Sequence, residues 1–387
     1  MLLNGDAMTS SRRLILVPLT LMATSLLHAQ PVPRTDVLAS PVLTQGSPTV
    51  PPDKHGSPNQ EDSTANAEKS RSKADDDKPL RSDYIHHPVL WASPDNVSGR
   101  DLFYGQGGER HQPKPPFKFI SEDMSGTNPK FDARDADGKK WRVKLGEESR
   151  PEVVASRLLW SVGYFVNDDY VLAEAEVQSL KMHRKSGNMK GDHITDARFA
   201  RKPGGQDKIG IWEWKDNPFT GSREFNGLRV MMAVMNNWDL KDSNNSVYRD
   251  DKSDRQIFLV NDVGATFGTN GLSWTRAHSK GNIETFKGSK FITRMTDTEV
   301  DFATPAAPTA YLAKMAGLSV VPFAKRASLD WIGKNIPRDD ARWIASLLAQ
   351  LTHRQLVDAF RAGGFPPDAI AIYVTLIENR IAELSAL

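Results

Sequence analysis

Apolar and polar residues alternate along Lys130–Arg134 and again along Lys140–Leu145, with Asp137-Gly138 between them. Period-two alternation around an Asp-Gly turn predicts a β-hairpin. Ser149-Arg150-Pro151-Glu152 then opens a helix, with Ser149 and Glu152 spaced as a capping box and Pro151 in the first turn. Val153, Leu158, Leu159 and Val162 continue it, and Gly163 ends it. Tyr170–Val177 reads as two short strands or one bent strand. Lys181–Thr220 is polar and Gly-rich apart from Trp212-Glu213-Trp214, whose two indoles would face one side of a strand. That pair is either a ligand or partner platform or the packing of an inserted hairpin. Phe225, Leu228, Met231, Met232 and Met235 recur at helical spacing, so a buried helix is expected from about Arg223 to Asn236. An apolar strand follows at Ile257–Val260, and Asn261-Asp262-Val263-Gly264 leaves it. Beyond it, Leu and Ile stripes predict a helix through Trp343–Leu351, one from Thr352 or His353 to Gly363-Gly364, and a last one from Pro366.

Before Tyr84 the pattern is different. Arg12-Arg13 precede an apolar run from Leu14 to Leu27, then His28-Ala29-Gln30. This is the form of an export signal, with Met1 or Met8 as the start, and the run is shorter than the ~20 residues that span a bilayer. Residues 1–29 are therefore expected to be a signal peptide, cleaved or kept as an anchor, and the protein to be exported to a periplasm or secreted. Residues 30–82, rich in Pro, Ser, Thr, Asp and Lys, lack the apolar area that offsets ordering entropy and read as a disordered linker.

Composition narrows the chemistry. The 387 residues include no Cys, which excludes disulfides, thiolate nucleophiles, zinc knuckles and iron–sulfur clusters. Fifty basic residues against 48 acidic give a net charge of +2, which argues against a nucleic-acid binder. No His-Glu-x-x-His, no Gly-x-Ser-x-Gly and no internal repeat is present.

A dispersed set of residues remains, in the order polar loop, strand, strand with Lys, helix with Glu, buried helix, Asp/Asn loop, strand, Asp-x-Gly. A Lys at a strand end can neutralise phosphates while a Glu on the next helix holds it. Taken singly, Lys144 reads more simply as an exposed strand residue and Glu152 as a mere capping partner. The whole set, from about Ser121 to Gly268, resembles the protein-kinase-like superfamily, closest to its HipA-like and phosphoinositide-kinase-like atypical branches. Ser125-Gly126-Thr127-Asn128-Pro129-Lys130-Phe131 resembles the phosphate loop, and Val143-Lys144 the nucleotide-binding Lys. Glu152-x-x-Ala155-x-x-Leu158 resembles the Glu helix, Asn237-x-Asp239 with Asn244 the catalytic loop, and Asp262-Val263-Gly264 the metal motif.

The resemblance implies an α+β, bilobal protein-kinase-like fold with a small β-rich N-lobe (83–180), a polar inserted hairpin region (181–222) and a mostly helical C-lobe (223–387). It implies ATP with Mg2+ or Mn2+ as cofactors. Ser125, Gly126, Thr127, Asn128 and Lys144 would bind nucleotide, and Glu152 would pair with Lys144. Asp239 would orient the acceptor hydroxyl, and Asn244 and Asp262 would hold metal. Asp242 and Asn245 rival the loop roles. The acceptor, a protein, lipid or sugar, is left open. No nucleic-acid partner and no stable membrane span after signal cleavage are expected. Three departures stand out: Arg142 shares a strand face with Lys144 where kinases roof the adenine with a small or apolar residue, the Lys144–Glu152 interval is short, and Leu240-Lys241 stands where Arg-His is usual. Arg142 and the loop departure favour an alternative, a catalytically silent kinase-like binding or scaffold protein of the envelope, and Asp262 with Asn244 disfavours it.

Overall fold

The computed structural model describes residues 77–126, 128–201, 206–268, 280–304 and 330–387. The expected signal peptide, the linker up to residue 76 and Thr127 lie outside the described residues.

Strands β1 (Pro88–Val89), β2 (Phe117–Asp123), β3 (Lys130–Arg134) and β4 (Lys140–Lys144) precede helix α1 (Ser149–Ser161). Then come β5 (Asp168–Gln178), β6 (Met189–Lys190), β7 (His193–Arg201) and β8 (Gln206–Gly210). Helix α2 (Arg223–Met235) is followed by β9 (Asn245–Asp250), β10 (Gln256–Val260), α3 (Ile283–Lys287), β11 (Ile292–Met295) and β12 (Glu299–Phe302). Last come β13 (Ile336–Pro337), α4 (Arg338–Leu348), α5 (His353–Ala362) and α6 (Pro367–Ser385).

The β3–β4 hairpin forms in the expected register, Lys130 opposite Lys144, with Gly138 at φ 76° in its turn. It joins a six-stranded sheet ordered β4-β3-β2-β5-β7-β6, in which β4 also pairs with β7, so five strands close into a barrel. Alternation then sorts the side chains. Phe131, Ala133, Trp141, Val143, Ala197 and Phe199 fill the interior with Phe117 and Tyr170. Asp132, Arg142, Lys144 and Arg198 take the alternate positions on the same strands. The segment expected as one bent or two short strands at 170–177 is the single strand β5.

A second, larger core surrounds α2, which is buried throughout from Phe225 to Met235. Its start is capped by Ser222, whose hydroxyl accepts from Phe225 N at 3.2 Å. Its end turns at Asn236, in the left-handed region at φ 53°. The Arg380 guanidinium donates to the carbonyl of Val234 and to that of Ala233, which also accepts from Asn236 N, so it ties the last turn of α2 to α6. The C-terminal helices follow the expected stripes, and Thr352 caps α5 in a complete capping box with Gln355.

Three boundaries differ from expectation. Residues 181–222 are no insertion: β7 is a stave of the barrel and β8 pairs with β9. Residues 77–102 pack on the larger core, whereas Gly108 and His111 bond to Tyr170, Asp168 and Arg201 of the barrel strands. Pro79 bridges to Ile211, β1 pairs in parallel with β10, Leu80, Leu90 and Leu102 join the α2 core, and Gln355 Nε2 donates to Val97 O and Arg100 O. Residues 79 and 80, ahead of the expected boundary at 83, thus take part in this packing. Finally, the part from 223 onward is less helical than expected, because it carries β9 and β10 in a four-stranded sheet and β11–β13 in a three-stranded one. Strand β9 follows the Asp/Asn loop directly and has little apolar pattern of its own.

Candidate functional site

Lys144 ends β4 on the outer face of the barrel, directly opposite Arg198 of β7. Two cations side by side and nearly buried need a shared anion. Glu152, one turn into α1, supplies it: Lys144 Nζ lies 3.0 Å from Glu152 Oε2, and Arg198 Nη1 2.6 Å from Oε1. Arg198 also reaches Asp169 at 3.6 Å. The expected capping box does not form, because Glu152 turns to these cations and the Ser149 hydroxyl donates instead to Lys144 O at 2.9 Å.

Asp262 closes the group from the other core. It follows β10 with φ 50°, a left-handed conformation that Asp tolerates better than most residues, and its Oδ1 lies 2.5 Å from Lys144 Nζ. Burial opposes the charge on Lys144, but Glu152 and Asp262 outweigh it, and its pKa is raised. Burial pushes the Glu152 carboxyl up, and Arg198 and Lys144 offset this only in part. Asp262 moves the other way: burial would raise it, but Lys144 holds it below the ordinary carboxylate range. Lys144 exposes 7% of its side chain, Glu152 2% and Asp262 45%. Asp262 is therefore the member of the trio that faces out.

A third carboxylate was not anticipated. Glu148 Oε2 accepts from Lys144 Nζ at 3.1 Å and from Asn128 Nδ2, and its Oε1 lies 2.8 Å from Lys280 Nζ. Burial would raise Glu148, but Lys144 and Lys280 together outweigh it and bring it down. Asn128 is thereby tied to Lys144. Ser125 and Gly126 sit further out: Ser125 N and Oγ donate to Asp123 Oδ1 at 2.9 and 2.6 Å, and Gly126, at φ 69°, lies beside Lys130 Nζ. Arg142 is held by Asp132 at 2.5 Å and by Asp123, which fixes it along the outer strand face.

Asn244 lies beside Asp262 through the β9–β10 register. Asn245 pairs with Val260, and Asn261 N donates to Asn244 O at 2.7 Å. Asn244 Nδ2 donates to Asp239 O at 2.7 Å, which leaves its Oδ1 as the atom available to a cation. Asp239 is half-exposed and pairs with Lys241 at 2.8 Å. Among the described residues no hydrogen bond or ion pair joins Asp239 to Lys144 or Asp262. The rivals have other work: Asp242 Oδ1 accepts from Trp214 N at 2.9 Å, and Asn245 Nδ2 donates to Trp212 O at 2.9 Å. Trp212 and Trp214, 5.0 Å apart, are buried in the α2 core and are packing, not a platform.

One carboxylate and one amide oxygen at a sheet end suit a hard cation that takes its other ligands from phosphate and water. Among the described residues no group of three His, Asp or Glu forms a ready-made metal cage. Also among the described residues, no helix is long and apolar enough to cross a membrane.

No family model matches the chain. No curated protein matches it either. Among solved structures, the Helicobacter pylori proinflammatory kinase CtkA is similar over 70% of this chain and 97% of that one, with 10% identity and a TM-score of 0.37. A TM-score that low carries no argument for fold or activity, so the functional reading rests on the side chains.

Proposed function

We propose that the chain is an exported, atypical kinase-like phosphotransferase that binds ATP with Mg2+ or Mn2+ and transfers phosphate to a protein, lipid or sugar hydroxyl. The observation that carries this reading is the meeting of Lys144, Glu152 and Asp262. They come from a strand end, the following helix and the exit of a strand in the other core, and the order and chemistry are those of a phosphoryl-transfer site. In this reading the barrel serves as the small lobe and the α2 core as the large one. Lys144, fixed by Glu152, would neutralise nucleotide phosphate, and Asn128 would position it. Asp262 and Asn244 would hold the metal, which when bound spreads the charge of the phosphoryl oxygens. Asp239 would orient the acceptor hydroxyl once Lys241 yields. Catalysis here is positioning and charge stabilisation. Export rests on the N-terminal sequence pattern.

A second reading has its own support. Lys144 is engaged by three carboxylates, Arg142 is fixed where an adenine would be roofed, and Asp239 is neutralised by Lys241. These favour a silent kinase-like scaffold. The test is the melting temperature of the purified chain with ATP plus Mg2+ or Mn2+, for wild type and Asp262→Ala. A ligand that binds the native state raises stability by mass action. A metal-dependent rise in wild type, lost in Asp262→Ala and accompanied by phosphate transfer or hydrolysis, is expected. A rise without turnover selects the scaffold, and no rise ends the phosphotransferase reading.

A further inference from the structure

Glu148 has no role in the scheme above, yet it is the best-connected carboxylate of the site. Its two oxygens collect Asn128 Nδ2 from the β2–β3 loop, Lys144 Nζ from β4, and Lys280 Nζ from the segment ahead of α3. Three donors on three separate elements, two of them ammonium groups, converge on one small anion. The Lys280 ammonium is almost as deeply placed as that of Lys144. Lys144 does not need this partner to stay charged or in place, since Glu152 and Asp262 already hold it. Nor does Glu148 act as a helix cap, because its side chain makes no capping bond. The position is also tight. A Cβ on Gly264 would lie 2.7 Å from Glu148 Cβ and 2.9 Å from its carbonyl, so the Asp262-Val263-Gly264 backbone rests directly on this residue.

We propose that Asn128, Lys144 and Lys280 form an anion subsite for a phosphoryl group, and that the Glu148 carboxylate is its internal occupant in the ligand-free chain. A carboxylate and a phosphoryl group present the same acceptor oxygens to ammonium and amide donors, so one can replace the other on the same three groups. Lys280 becomes a ligand-binding residue, and Glu148 a competitor that swings out when phosphate enters. The ligand class is taken from the phosphotransferase reading, while the subsite itself rests on the three donors.

The experiment measures binding of inorganic pyrophosphate and of ATP with Mg2+ by titration calorimetry, for wild type, Glu148→Gln, Lys280→Met and the double variant. Gln keeps the shape that Gly264 packs on and removes the charge. Pyrophosphate affinity is expected to rise about tenfold in Glu148→Gln, to fall about fivefold in Lys280→Met, and to lose the gain in the double variant. Unchanged or weaker binding in Glu148→Gln overturns the proposal, as does unchanged binding in Lys280→Met. If Glu148→Gln does not fold, Lys280→Met decides alone. The two readings fail separately. A pyrophosphate response as expected, without Asp262-dependent ATP binding, removes the nucleotide and keeps the subsite. Asp262-dependent ATP binding, without the Glu148→Gln gain, does the reverse.

Discussion

Lys144→Met removes the cation on which three carboxylates converge, and the structure bounds what that costs. Breaking a buried ion pair so that a charge is left without compensation costs about 3–5 kcal/mol. That limit is not reached here, because each carboxylate keeps another partner or water. Glu152 retains Arg198 at 2.6 Å, Glu148 retains Lys280 at 2.8 Å together with Asn128, and Asp262 is 45% exposed. Met also fills most of the volume left by the Lys stem. The expected loss is about 1–3 kcal/mol, a fall in Tm of a few degrees with the chain still folded. Urea denaturation of the purified protein at neutral pH measures it. A double-mutant cycle with Glu152→Gln isolates the direct pair, with an expected coupling of about 1 kcal/mol or more. A chain that fails to fold would mean that Arg198, Lys280 and solvent do not compensate as their distances require. A coupling under about 0.3 kcal/mol would mean that the 3.0 Å contact contributes nothing in solution, and the argument for a preset Lys144 would fail.

Two other outcomes are expected. Burial would raise the Glu122 carboxyl, but the backbone N–H groups of His183 and Arg184 and their side chains outweigh it and bring it down to about 2. Its folded value lies below its unfolded value, so its contribution is present above about pH 4.5 and is lost as pH falls towards 2. Melting curves across that range should fall more steeply for wild type than for Glu122→Gln, and parallel curves would refute the assignment. Gly264→Ala forces a Cβ onto Glu148 and should cost about 1–3 kcal/mol by denaturation, as overpacked cores do. A neutral result would show that the Asp262 turn is slack.

The parts of the site carried by local pattern were legible. The β3–β4 hairpin follows from alternation around Asp137-Gly138, which puts Lys144 at a strand end, and Asp262 was conspicuous at the end of an apolar strand. Glu152 was singled out but its local partner was misjudged, since the spacing that makes a capping box with Ser149 also places a carboxylate beneath the preceding strand. Arg198 and Lys280 were missed because each joins the site through pairing distant in sequence, while Glu148 lies only four residues from Lys144, in the turn ahead of α1, and carries no pattern that marks it. Arg198 depends on β4 meeting β7, and nothing in the polar stretch around it announces a barrel stave. Its only signal was the alternating Ala197-Arg198-Phe199-Ala200 within a region dominated by Gly and charge. The packing of residues 77–102 on the larger core was missed in part for the same reason, because β1 pairs with β10 and Val97 and Arg100 bond to Gln355.

The attachment of Val97 and Arg100 to Gln355 has a consequence for the order of events in folding. The Gln355–Val97 bond joins residues 258 positions apart, and β1 docks on a strand whose residues come late as well. Closing so long a loop is entropically costly until other contacts have formed, and such topologies fold slowly. A chain emerging from its N-terminus would therefore make the barrel first. Its earliest described segment would wait for β10 before β1 can pair, and for α5 before Val97 and Arg100 gain Gln355. The first part of the described chain to be synthesised is among the last to be placed, and a chain cut before residue 353 would leave that segment without its final hold.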